Sequence, residues 1–122
     1  MAQIKTFHDL QVWQKAHQLV LLVYKITVGF PSHERYGLVS QMRRAAVSVA
    51  ANLVEGFRRK SLKDSVNFYH NAAASLEELK YFLLLSQDIG YLNSQAYTKV
   101  AGISEEVSKL LTRWIQSQHQ YL

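Results

Sequence analysis

A single proline, Pro31, interrupts a chain whose apolar residues otherwise recur every three or four positions. That period belongs to helices, and no alternating strand pattern competes with it. Leu10, Trp13, Ala16, Leu19/Val20, Val23 and Ile26/Thr27 form the first stripe. Gly29, Gly56 and Gly90 stand where helices are expected to stop. The second helix is expected from Tyr36–Leu38 to about Glu55, beyond the Pro31-Ser32 break. Ser61 caps a third, with Asp64 at capping-box spacing, and that helix runs to about Asp88. The tight turn Asp88-Ile-Gly-Tyr-Leu-Asn93 ends on a good N-cap for a fourth helix reaching about Gln118. Short connections make neighbouring helices antiparallel. The expected fold is an all-α, up-down-up-down four-helix bundle, one domain over residues 1–122.

Two function classes fall away early. The chain has no cysteine, which removes disulfides, thiol nucleophiles and thiolate metal sites. The longest apolar run, Leu19 to Tyr24, is far short of a membrane span. The amino-terminal stretch MAQIKTFHDL has no apolar run that could serve as a secretion signal. The expectation is a cytoplasmic protein with no membrane partner.

Charge is unevenly spread. Residues 1–63 hold ten Lys/Arg against three Asp/Glu, and residues 64–122 hold four against six. A basic half points to a polyanionic partner such as RNA or DNA. Bundle topology sharpens this reading. The start of helix one, the loop between helices two and three, and the end of helix four share one end. Lys5, Arg58, Arg59, Lys60, Lys63, Lys109, Arg113 and His119 gather there, and no carboxylate lies between Gly56 and Lys63. The result is an expected basic pole, with Lys5, Arg58, Arg59, Lys60, Lys63 and Arg113 as candidate nucleic-acid contacts.

The second helix holds a further signal, SQMRRAAVSVAANLVEGFRRK. Gln41, Arg44, Ser48, Asn52 and Glu55 fall within an arc of roughly 80° on a helix that is otherwise mostly apolar. A buried polar line is costly unless its members are satisfied. The partners are expected on another helix or on another copy of the chain, with Glu77, Glu78 and Ser75 on helix three as the natural candidates. A helix apolar around most of its circumference is buried on more than one side, so self-association is expected.

The segment QMRRAAVSVAANLVEGFRR, with DLQVWQKAHQLVLLVY before it and ASLEEL and DIGYL after it, resembles the four-helix-bundle proteins encoded by 23S rRNA intervening sequences. The resemblance spans nearly the whole chain. Its motif falls on Gln41, Arg43, Arg44, Ser48, Asn52, Glu55 and Gly56, with Ser75 and Glu78 on helix three. It implies an antiparallel bundle assembled as a homopentameric ring, and attaches no catalytic role or cofactor to these positions. A more distant branch is similar to the accessory proteins of diversity-generating retroelements, which bind nucleic acid and assist a reverse transcriptase. The resemblance therefore makes a reverse transcriptase a conceivable protein partner.

Rival chemistries have thinner support. Histidines 8, 17, 33, 70 and 119 form neither Glu-x-x-His nor His-x-x-x-His, the spacings that aim metal ligands from one helical face. No metal or other cofactor is expected. Arg113 and His119 have the Arg-x5-His spacing of HEPN-type ribonucleases, where the histidine handles protons beside a scissile phosphate. Trp114 follows the arginine where those enzymes carry a polar residue, so a non-enzymatic protein is the preferred expectation. Trp13 and Trp114 are expected to pack between helices one and four. A protein–protein scaffold without nucleic acid is the main alternative function.

Overall fold

The computed structural model describes residues 3–122; Met1 and Ala2 of the amino-terminal stretch lie outside the described residues. A short 3-10 turn at Phe7–Asp9 leads into α1 (Gln11–Thr27). A second 3-10 turn at Ser32–Glu34 precedes α2 (Leu38–Arg58), followed by α3 (Leu62–Asp88) and α4 (Ser94–His119). Each helix packs on its neighbour in sequence, α4 closes back onto α1, and the α2–α3 pairing is the most extensive. The all-α four-helix bundle is therefore the fold.

Local chemistry sets most of the boundaries. The Ser61 hydroxyl accepts the Asp64 N–H at 3.3 Å, and the Asn93 side chain accepts the Ala96 N–H at 2.7 Å. Each satisfies a donor that the first helical turn leaves open. At the end of α3, Gly90 has φ +87°, the left-handed region that glycine enters without Cβ strain. It lets the Tyr91 N–H reach back to the Ser86 carbonyl at 2.8 Å and the Gly90 N–H to Gln87 at 3.0 Å, a Schellman stop.

One boundary differs from expectation. Gly56 does not end α2, which continues to Arg58. A Cβ at position 56 would stand 2.5 Å from Tyr69 Cε1 and 3.0 Å from the Ser65 carbonyl oxygen. Glycine is required there because α3 passes so close, not because the helix stops. Ala45 shares the side of α2 that Met42, Ser48 and Gly56 turn toward α3, and it and Ala72 of α3 are buried. Small side chains bring the two backbones together.

The core is filled by Leu19, Met42, Leu53, Leu76, Leu79 and Leu83, with Val100, Val107 and Leu111 from α4. Burying one such side chain contributes roughly 1.5–3 kcal/mol. The first stripe faces this core, with Val12 added to it and Trp13 only half-buried. Trp13 stacks on His17 (ring centroids 5.1 Å) and meets Phe7 edge-on, while Trp114 meets Tyr69 of α3 at 5.8 Å. Trp114 also lines the α1–α4 seam with Leu10 and Val12, while Trp13 packs on the Phe7–Asp9 turn and on its own helix. Burial pushes the Tyr69 phenol above its ordinary pKa, partly offset by the Trp114 indole beside it. That indole N–H lies outside hydrogen-bonding geometry of any acceptor among the described residues.

Candidate nucleic-acid interface

Arg58 ends α2, Arg59 and Lys60 make the turn, and Lys63 lies in the first turn of α3. Lys5 precedes the Phe7–Asp9 turn, and Arg113 lines a cleft of about 550 Å³ with Leu10, Val12 and Trp114 at the α1–α4 seam. Lys5, Lys60, Lys63 and Arg113 are exposed.

The cations there are not all free. Both Arg58 and Arg59 reach one oxygen of Glu55, at 3.4 and 3.3 Å. Arg59 also stands over the Phe68 ring at 4.5 Å. Asp9 sits close to Lys5 in sequence, and its carboxyl is held below the usual range by the Thr6 and Lys5 backbone N–H groups. It stays anionic and subtracts from the pole. Lys60 and Lys63 make no ion pair among the described residues.

The polar line on α2 faces outward instead of inward. Gln41 and Arg44 are exposed, and Ser48, Asn52 and Glu55 are half-buried. Its expected partnerships hold only at the centre. The Ser48 and Ser75 hydroxyls meet at 2.7 Å, and Asn52 Nδ2 donates to the Ser48 carbonyl at 2.8 Å. Glu55 is held by arginines of its own helix end rather than by α3. Glu77 pairs with Lys80 at 3.0 Å, and Glu78 is exposed. Lys80 also reaches Glu105 at 3.1 Å, which ties α3 to α4. Burial alone would lower its pKa, but the two carboxylates outweigh that and hold it above its ordinary value. The physical reason for the outward face is the core: Met42, Ala46, Val49 and Leu53 occupy the opposite side of α2, so the line points away from it. Ala51 and Val47 are exposed beside the line.

Arg43 lies off that line and has a structural partner on α1. Its Nε donates to Thr27 Oγ1 at 3.0 Å, its Nη2 to the Tyr24 carbonyl at 3.4 Å, and its guanidinium stands over the Tyr24 ring at 4.6 Å. A cation at the carboxyl end of a helix suits the macrodipole and satisfies a terminal carbonyl. Arg44 instead lines an open groove between α1 and α2 with Tyr24, Arg35, Tyr36 and Ser40. The sequence reading missed Tyr24, Arg35 and Tyr36, whose only signal is arginine next to tyrosine at 35–36.

Arg113 and His119 are not brought together within the chain. Arg113 faces the α1 side, while His119 Nε2 meets His70 Nε2 of α3 at 3.4 Å. Six residues of helix turn the two side chains well apart. Among the described residues no three His, Asp or Glu side chains converge as a metal site would require. No described helix is long and apolar enough to cross a membrane.

These features define a class: a small helical bundle with a run of basic residues at the α2–α3 turn and a polar ridge on one outward helix face. The profile of the 23S rRNA-intervening sequence protein family matches residues 8–113, and the chain belongs to that family. Among solved structures, the chain is similar to a protein of unknown function from the S23 ribosomal protein family of Bacteroides thetaiotaomicron. The two share 25% identity and a TM-score of 0.77, over 85% of this chain and 97% of that one. Among curated proteins, none matches.

Proposed function

We propose that the chain is a non-enzymatic, cytoplasmic helical-bundle protein that self-associates, as a pentamer, and binds RNA or DNA through its basic pole. What supports the binding is the basic run at the α2–α3 turn: Arg58 ends α2, Arg59 and Lys60 make the turn and Lys63 lies in the first turn of α3, with Lys60 and Lys63 exposed and without an ion pair among the described residues. Affinity from phosphate contacts grows with the number of counterions released, so repetition of a modest cluster across subunits strengthens it. Self-association is supported by exposed apolar side chains on two helices. Leu21 and Val28 of the α1 end are 57% and 78% exposed, and Tyr81 and Leu84 of α3 are 58% and 45% exposed. Those side chains also support a second reading, a scaffold that docks a protein partner such as a reverse transcriptase.

The test is fluorescence-anisotropy titration of labelled RNA and DNA at increasing salt. The wild type runs beside a variant with Arg58, Arg59 and Lys60 changed to Glu, both checked for mass by light scattering. Sub-micromolar binding that weakens steeply with salt and disappears in the variant is the expected result. Equal binding by the variant, or none by the wild type at physiological salt, would shift the assignment to the scaffold.

A further inference from the structure

The groove between α1 and α2 has a composition that the pole lacks. It measures about 500 Å³ and is walled by Tyr24, Arg35, Tyr36, Ser40, Arg43 and Arg44. A second hollow of about 330 Å³ adjoins it and shares Arg35, Val39 and Arg43. Tyr36 is 88% exposed, an unusual position for a large aromatic ring, and Arg35 stands over it at 5.5 Å. Tyr24 is 42% exposed, with Arg43 over its ring at 4.6 Å.

None of these three arginines has an ion pair among the described residues. The carboxylate nearest in sequence, Glu34, is committed elsewhere. Its Oε1 accepts the Leu38 N–H at 3.3 Å and its Oε2 accepts the Tyr91 hydroxyl at 2.9 Å. Arg43 is held by Thr27 and the Tyr24 carbonyl. Arg35 and Arg44 keep their guanidinium donors free among the described residues. Like charges gathered in one groove repel, and an anion relieves that repulsion.

The occupant must supply phosphates or carboxylates for the arginines and a flat apolar face for the tyrosines. A run of acidic residues supplies the first and not the second, and an acidic peptide supplies both only where an aromatic residue falls in register with each tyrosine. A duplex presents phosphates but keeps its bases stacked inside. A single strand offers both, and exposed aromatics beside a cationic groove are how sequence-tolerant single-strand binding works.

We infer that the α1–α2 groove seats single-stranded nucleic acid. Arg35 and Arg44 fork onto backbone phosphates, Tyr36 stacks a base, and Arg43 holds Tyr24 as a second stacking face. The inference rests on the nucleic-acid reading above and adds a site distinct from the pole. Arg44 and Arg58 are fourteen residues apart on α2, about 21 Å of helix rise, and both lie on its outward side. A strand leaving the groove along the ridge of Ser48 and Ala51 arrives at the pole.

The experiment compares wild type, a groove variant (Tyr36→Ala with Arg44→Gln) and the pole variant (Arg58, Arg59 and Lys60 to Glu). Probes are labelled oligo-dT, oligo-rU and a duplex of equal length, at physiological salt, with oligo-glutamate as competitor. Tyr36 and Arg44 are exposed, so the groove variant is expected to fold, and circular dichroism and light scattering verify that. The expected result is single-strand binding weakened about tenfold or more in the groove variant, with duplex binding unchanged. Tyr36→Phe keeps wild-type affinity, because the ring and not the hydroxyl stacks. Single-strand binding equal to wild type in the groove variant, but lost in the pole variant, overturns the groove and leaves the pole reading standing. No binding of any nucleic acid by the wild type overturns both. Equal competition by oligo-glutamate, or a change in particle mass without a change in affinity, also overturns the groove as a single-strand seat.

Discussion

The molecule carries two arginine clusters built on opposite principles. At the pole, Arg58 and Arg59 are adjacent in sequence and conspicuous, yet both lean on the Glu55 carboxylate. In the groove, Arg35 and Arg44 are nine residues apart, one in the turn before α2 and one within that helix, and neither has a carboxylate partner among the described residues. The lesson concerns what a charge count measures. A run such as Arg-Arg-Lys advertises positive charge, but the charge available to a ligand is what local carboxylates leave over. Dispersed arginines that the fold gathers without an ion pair among the described residues keep their donors for a ligand.

The two clusters also differ in what the bundle asks of them, and stability measurements separate them. The largest effect is expected at Gly56, beside the pole. Gly56→Ala puts a methyl 2.5 Å from the Tyr69 ring and 3.0 Å from a backbone oxygen that cannot step aside. Overpacking of this kind costs about 1–3 kcal/mol. Denaturant unfolding is expected to show a loss in the upper part of that range, with α2 and α3 spread where Glu55 and Arg58 stand. A change below about 0.5 kcal/mol would mean that the seam relaxes freely and that glycine is there for another reason.

The second effect is smaller and falls on the groove. Arg43→Ala removes a hydrogen bond to Thr27 at 3.0 Å and the cover of a terminal carbonyl of α1. Hydrogen bonds from charged groups contribute about 1.5–3 kcal/mol, and partial exposure here places the expected loss near 1–2 kcal/mol. Arg58→Ala is the control, because an exposed ion pair contributes about 0–1 kcal/mol. Urea midpoints of the two variants, measured side by side, are expected to order them in that way. If Arg58→Ala proves the more destabilising, the groove arginine is not a clamp.

How much of this was legible in the sequence depends on how local each cause is. Ser61, Asn93 and Gly90 announce their roles because capping is a matter of a few residues, and the helix borders there follow. Gly56 misleads for the complementary reason. By local rules it reads as a stop, while its actual requirement comes from Tyr69, thirteen residues later on another helix. The polar line on α2 was legible as a line but not in its direction. Ala51 and Val47 on the outward side look as apolar as Ala46 and Val49 on the inward side, so the pattern lacks contrast. The Arg58-Arg59-Lys60 run falls on the α2–α3 turn, as its place just before the Ser61 cap suggests. The groove joins Tyr24 to Arg43 and Arg44 through antiparallel pairing of α1 and α2, and the His70–His119 contact spans 49 positions. Neither has a periodic trace.

The smallest effect addresses the comparison most directly, since it makes the pole resemble the groove. Glu55→Gln keeps the size of the side chain and removes the one carboxylate that Arg58 and Arg59 share. All three side chains are substantially exposed, so stability is expected to change by no more than about 0.5 kcal/mol. Affinity is expected to move in the opposite sense. Freed guanidinium groups engage additional phosphates, and each adds about 0.7–0.9 to the slope of log affinity against log salt. A salt titration of RNA binding is thus expected to give a steeper line for Glu55→Gln, with a few-fold tighter binding at low salt that fades as salt rises. A line of unchanged slope would show that Arg58 and Arg59 already leave Glu55 when a polyanion arrives. In that case the contrast between the clusters belongs to the free protein, and the ligand erases it on binding.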